Sequence, residues 1–163
     1  MKKAIVISLM MFLFFSSFVF AQSERMGSIT GTLGMGIASR KTVEQEALGS
    51  VIFDINLINK TGLTLSFTDV TAFGIAGTSR YLMPGAGYNF MRDRWSIGTV
   101  IHVTPMAGDI MISGKINGGY YFSNHIGITG TLMYGKVAGL QGYEFSMFNA
   151  FLGVSTRFHF NGQ

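Results

Sequence analysis

Three short polar stretches, Asn59-Lys60-Thr61-Gly62, Met91-Arg92-Asp93-Arg94 and Ser123-Asn124-His125, recur at a spacing of about 32 residues along this 163-residue chain. Between them lie pairs of segments in which apolar and polar residues alternate, each pair joined by a longer, looser connection. Alternation puts every second side chain on one face, which is the period of a β-strand and not of a helix. Tight turn, strand, loop, strand, repeated, is the layout of antiparallel hairpins wound into an up-and-down barrel. Such a barrel has two unlike ends, one of tight turns and one of loops.

The first residues stand outside this pattern. Lys2 and Lys3 give a basic start, Ala4 to Phe20 is almost unbroken apolar sequence, and Val19-Phe20-Ala21 sets compact residues at a cleavage position. Residues 1–21 therefore read as a signal peptide removed after Sec-type export. The rival is a retained N-terminal anchor, since the apolar run nears the lower length for a bilayer span. No Cys follows Ala21, so a lipid-anchored lipoprotein is excluded, and no disulfide framework staples the exported chain. Residues 22–163 are short enough to form one domain.

Of 12 basic residues two leave with the signal, so ten face 8 acidic ones and the mature charge is about +2. That is too little to argue for nucleic acid, and no basic patch with interleaved aromatics appears. The charged fraction is more telling. It is 12% against 48% hydrophobic residues, about half of what a soluble domain carries. So many aromatics with so few charges also exclude disorder.

Eight segments alternate. Ser28 to Ser39 puts Ile29, Leu33, Met35 and Ile37 opposite Ser28, Thr30, Thr32, Gly34, Gly36 and Ala38, and Arg40 to Ala47 follows as a charged loop. Ser50 to Ile58 sets Val51, Phe53, Ile55 and Leu57 against Ser50, Ile52, Asp54 and Asn56. In the third, Leu63, Leu65 and Phe67 alternate with Thr64, Ser66 and Thr68; Asp69 would fall on the apolar face, so the strand is expected to end there and Val70 to Ser79 to form a loose connection. The fourth, Arg80 to Phe90, holds Pro84, which predicts a bulge or a break because proline lacks a ladder donor. The fifth runs Trp95, Ile97, Thr99, Ile101 and Val103 against Ser96, Gly98, Val100, His102 and Thr104, with Pro105 to Asp109 as its loop. The sixth sets Ile110, Ile112, Ile116, Tyr120 and Phe122 against Ser113, Lys115, Asn117 and Tyr121. The seventh alternates Ile126, Ile128, Leu132 and Tyr134 with Gly127, Thr129, Thr131 and Met133, and Lys136 to Glu144 is the last loop. The eighth, Phe148 to Phe160, is the clearest: Phe148, Ala150, Leu152, Val154, Thr156, Phe158 and Phe160 oppose Asn149, Phe151, Gly153, Ser155, Arg157 and His159.

Charge decides which face looks out. On the second face it amounts to little more than Asp54, Arg80, Lys115 and Arg157, with Gly, Ser and Thr filling most other places. That face is too poor in charge for water but suits the cramped interior of an eight-stranded barrel, while the large apolar face suits lipid. Aromatics agree. Tyr88, Phe90, Trp95, Tyr120, Phe122, Phe158 and Phe160 gather at the tight-turn end, and Phe73, Tyr81, Tyr134, Tyr143 and Phe148 at the loop end. Two such zones are the girdles of an outer-membrane barrel. The fold class predicted is thus all-β, an eight-stranded antiparallel up-and-down transmembrane β-barrel.

Over the whole mature chain this pattern resembles the small eight-stranded bacterial outer-membrane proteins of the OmpA-barrel, OmpX and OmpW kind. The last strand, with Phe148, Leu152, Val154, Phe158 and Phe160, is similar to their C-terminal assembly signal, although there the aromatic residue usually ends the chain and here Asn161-Gly162-Gln163 follow. The resemblance implies outer-membrane lipids as surroundings and periplasmic chaperones and the barrel assembly machinery as partners. It also implies short turns and termini in the periplasm and loops outside. We read the chain as a monomer in the bacterial outer membrane.

Chemistry is thin. His102 and Thr104 share a face, and a His-x-Ser/Thr pair resembles that of outer-membrane lipid deacylases. Those work on the lipid side of the barrel, whereas this His is expected in the lumen as polar filler. Gly31, Gly34 and Gly36 lie inside a strand with no helix after them, which rejects a dinucleotide loop. No His, Asp and Glu cluster has metal spacing, so no cofactor and no catalytic residue is assigned. Asn59-Lys60-Thr61 fits a glycosylation sequon but sits in a tight turn of a bacterial export product. Arg40 and Lys41 with Glu44 and Glu46 are placed to meet a ligand or headgroup. Buried charges need partners, so Asp54, Lys115, Arg157 and His102 are expected to form a lumen network with Asp54 as acceptor. That network either plugs the barrel or lines an ion or solute path. The reading is a structural or surface-interaction barrel without catalysis. The alternatives are a narrow OmpW-like channel for small hydrophobic or ionic solutes, a lipid-modifying enzyme, and a soluble barrel holding an apolar ligand.

Overall fold

The computed structural model describes residues 27–41, 45–74, 77–106, 109–138 and 146–159. They form eight strands: β1 (Ser28–Lys41), β2 (Gln45–Ile58), β3 (Leu63–Gly74), β4 (Gly77–Arg92), β5 (Trp95–Pro105), β6 (Ile110–Tyr121), β7 (Ile126–Ala138) and β8 (Ser146–His159). Each pairs antiparallel with the next and β8 closes on β1, giving a barrel with no free sheet edge along most of its circumference.

The register fixes the geometry. From Met147 the paired residues run through Gly135, Ser113, His102, Gly85, Ser66, Asn56 and Thr30 and return to β8 at Arg157, ten residues from the start. A stagger of that size around eight strands tilts them by about 40° from the barrel axis. Residues level in the sequence pattern are therefore not level along the axis.

The tight turns hold themselves together. Asn59 Oδ1 accepts from the Thr61 amide at 3.0 Å and its hydroxyl at 2.8 Å, and Gly62 takes a φ of 94° that suits glycine. Asp93-Arg94 is a two-residue turn with Asp93 at φ 46°. Ser123 Oγ accepts from the amides of His125 and Ile126.

The loop end differs from expectation. The stretch expected as a charged loop is largely strand, with Arg40 paired in register to Glu46, while Glu44 lies outside the described residues. Likewise β3 and β4 run on until Gly74 meets Gly77. Tilted strands need the extra length to cross the apolar layer, and pairing satisfies backbone groups that lipid would leave bare.

Asp69 does not end β3. It stays on the outer face and is held by Arg80, whose Nε lies 3.0 Å from both carboxylate oxygens. Arg80, expected inside, points out with its side chain 70% exposed. The pair neutralises a carboxylate that alone would be costly on an apolar face.

Pro84 neither bulges nor breaks β4, which is continuous and pairs Pro84 with Phe67 of β3. Its effect is on the other side. The β4–β5 ladder runs from Arg92 and Trp95 only to Gly85 and His102, and stops beside this residue with no N–H. Pro105, the chain's other proline, ends β5 on the facing edge.

The outer face is apolar and open to its surroundings: Leu33 is 61%, Met35 73% and Leu152 68% exposed. Water would not tolerate such a continuous surface, and lipid requires it. Tyr88, Phe90, Trp95, Phe122 and Phe158 project from the tight-turn end, with Tyr120 packed on Trp95 at a centroid distance of 4.7 Å. Phe73, Tyr134 and Phe148 project from the other end. Tyr81, grouped with them by sequence, instead packs inward against the lumen's apolar side chains. In the last strand Phe148, Leu152, Val154 and Phe158 share the outer face. Phe160, Tyr143 and residues 1–21 lie outside the described residues.

Candidate functional site in the barrel lumen

Inward positions of β2, β3, β5 and β6 build one polar cluster. Lys115 Nζ reaches Asp54 Oδ1 at 2.7 Å, Ser66 Oγ at 2.8 Å, Thr68 Oγ1 at 3.1 Å and Asn56 Oδ1 at 3.4 Å. Its side chain is 0% exposed and that of Asp54 4%. Asp54 also accepts from Thr68 Oγ1 at 2.6 Å, Asn56 Nδ2 at 2.7 Å and Ser66 Oγ at 3.2 Å.

The hydroxyl proton count sets the histidine tautomer. Thr68 gives its one proton to Asp54, so at 3.1 Å from His102 Nε2 it must accept. His102 therefore carries its proton on Nε2, and its Nδ1 has no partner among the described residues. Gly85 makes this possible, because a Cβ there would lie 2.5 Å from His102 Cδ2.

Asp54, Lys115 and His102 thus share one cluster, and Arg157, expected with them, does not join it. The ten-residue stagger leaves it at the tight-turn end, where Nη2 donates to the Asp93 carbonyl at 2.9 Å and the guanidinium stacks 4.2 Å over Tyr121. Between the two lies a smaller chain in which Asn117 donates to Asn89 at 3.3 Å and Asn89 to Thr64 at 3.1 Å.

Sequence reasoning missed the layer on the loop side of this cluster. Ile52, Val70, Met83, Met111, Met133, Val137, Met147 and Phe151 form a buried apolar group inside the barrel, with Met106 and Tyr81 against it. The signal was present: Ile52, Met133 and Phe151 interrupt otherwise polar inward faces. Methionine suits an irregular space because its unbranched thioether chain adapts.

His102 bonds Thr68 rather than Thr104, whose hydroxyl has no partner among the described residues. No group of three His, Cys, Asp or Glu among the described residues converges to hold a metal.

No family model matches this chain, and no curated protein matches it in sequence. Solved structures match it in fold. Neisserial surface protein A superposes at TM-score 0.64 with 10% identity, over 81% of this chain and 99% of that one. Ail, the attachment invasion locus protein of Yersinia pestis, gives 0.61 and 11%, over 82% and 99%. The outer membrane protein OprG of Pseudomonas aeruginosa gives 0.53 and 11%, over 85% and 99%. At these identities the likeness is one of fold, and the chain is in fold a small eight-stranded transmembrane β-barrel of the outer-membrane type.

Proposed function

We propose that the chain is an integral barrel of a bacterial outer membrane, exported with a cleaved signal and inserted by the barrel assembly machinery. Its role is structural or surface-interacting, without catalysis, and its lumen does not conduct. The observation that carries this is the stacking of the Lys115–Asp54 cluster and the methionine-rich layer across a lumen that eight strands leave barely wider than its side chains. Likeness to a surface protein and an attachment protein accords with a surface role. The strands at that end are joined through residues 42–44, 75–76, 106–109 and 139–145, so the contact surface would be the rim of the barrel with these short connections.

Two measurements test the reading. Fractionated cells should hold the protein in the outer membrane, migrating faster in SDS before boiling than after. Planar bilayers containing it should stay silent; a wild-type conductance that Asp54→Ala abolishes would overturn the closed lumen.

A second reading, a narrow path for small hydrophobic or ionic solutes of the OmpW kind, is favoured by one observation. The short β4–β5 ladder leaves the outer half of β4 unpaired with β5 beside Met83, at the level of the apolar layer. Solute uptake by cells with and without the protein separates the two.

A further inference from the structure

One row of paired residues on the lipid face of β4 to β8 reads Phe90, Ile97, Gly118, Gly130, Leu152. Two adjacent strands thus present no side chain between large ones. The next row toward the tight turns reads Arg92, Trp95, Tyr120, Ile128, Val154. Together they enclose an outward-facing groove of about 580 Å³, with Gly118 and Gly130 in its floor and the Trp95–Tyr120 pair at its lip.

Packing does not demand these glycines. A Cβ on Gly130 would meet nothing within 4 Å, and one on Gly118 only the Ser96 carbonyl at 3.9 Å. Glycine weakens a strand interior, so the open space costs stability that an alanine would restore.

The rim of the groove is cationic. Arg92 lies in register beside Trp95 on the outer face, and Arg94 follows in the turn. Both are exposed, and neither side chain has an ion pair among the described residues. Hydrocarbon depth, then an aromatic pair, then two guanidinium groups is the order of chemistry met along a phospholipid from chain to phosphate.

We propose that this groove is a binding site for an anionic phospholipid of the leaflet at the tight-turn end, one acyl chain lying over Gly118 and Gly130 and the phosphate at Arg92 and Arg94. The charges argue against a second copy of the chain as occupant, since a face-to-face pair would crowd four arginines at one rim.

Trp95 is the only tryptophan of the chain and stands at the lip. Its fluorescence is to be measured in phosphatidylcholine vesicles doped with brominated phosphatidylglycerol or, at the same mole fraction, brominated phosphatidylcholine, with folding checked by the SDS mobility shift. The wild type should favour the anionic quencher by at least about fivefold, the effect of a single basic side chain at a membrane surface. Arg92→Gln with Arg94→Gln should bring the ratio close to one. Gly130→Leu, whose Cβ has open space and whose branch would occupy the groove, should also lower it, while Gly114→Leu, at another outward glycine with open space for a Cβ but outside the groove, should leave it unchanged. Equal quenching by the two lipids in the wild type would overturn the site. So would a preference that survives Gly130→Leu, since the attraction would then belong to the charged rim alone.

Discussion

Replacing Lys115 by methionine tests the lumen cluster most directly. The substitution keeps length and apolar bulk but removes an ammonium whose three protons serve four surrounding oxygens, the nearest being Asp54 Oδ1 at 2.7 Å. Asp54 then stays buried as a carboxylate with three neutral donors, Asn56, Ser66 and Thr68. Removing one partner of a buried pair costs about 3–5 kcal/mol, and the remaining donors place Lys115→Met near the lower end. Asp54→Asn should cost at least as much, because it leaves an ammonium facing only neutral oxygens. The double variant holds no net buried charge at this site, so it should lose less than the sum by at least about 2 kcal/mol. The assay is urea unfolding in lipid vesicles followed by Trp95 emission, with midpoints compared at equal slope. Additive losses in the double variant, or a Lys115→Met cost below about 1 kcal/mol, would refute the reading of these groups as one charge-compensated unit.

Arg157→Met removes the bond to the Asp93 carbonyl and the stack on Tyr121, and should cost about 1–3 kcal/mol. Because Arg157 is outside the Lys115 cluster, its loss should add to that of Lys115→Met in the same unfolding assay. Met133→Ala should cost about 2–5 kcal/mol by leaving a cavity in the inner apolar layer, whereas Met133→Leu should cost less than about 1.5 kcal/mol. Gly85→Ala sets a Cβ 2.5 Å from His102 Cδ2 and 2.6 Å from the Ile101 carbonyl, and should slow or abolish the appearance of the fast-migrating SDS form during refolding. His102→Ala should rescue it only in part, since the backbone contact remains.

Period-two alternation was enough to number the strands and assign their faces, because one residue of slip would carry a whole strand's apolar set to the wrong side. It failed where the pattern thinned. Asp69 and Arg80 broke the apolar rule together and compensated each other on the outer face, a pairing that depends on β3 and β4 being neighbours in a known register. At the loop end the strands run past the point where alternation is legible, for a related reason. Arg40 and Glu46 looked like loop residues singly and are strand residues as a pair.

The candidate site divides in the same way. Local sequence determined that Asp54, His102, Lys115 and Arg157 face inward and that the outer face must meet lipid, since both follow from the alternation and the scarcity of charge. Which of the four share one cluster, and that Arg157 stays outside it, was decided only by the tertiary structure. The ten-residue stagger lifts Lys115 of β6 to the level of Asp54 of β2 and drops Arg157 to the tight-turn rim. The same stagger gathers Met83, Met111, Met133 and Met147, scattered over four strands, into one layer. Height along a barrel axis is set by strand tilt and closure, and no single strand's sequence contains either.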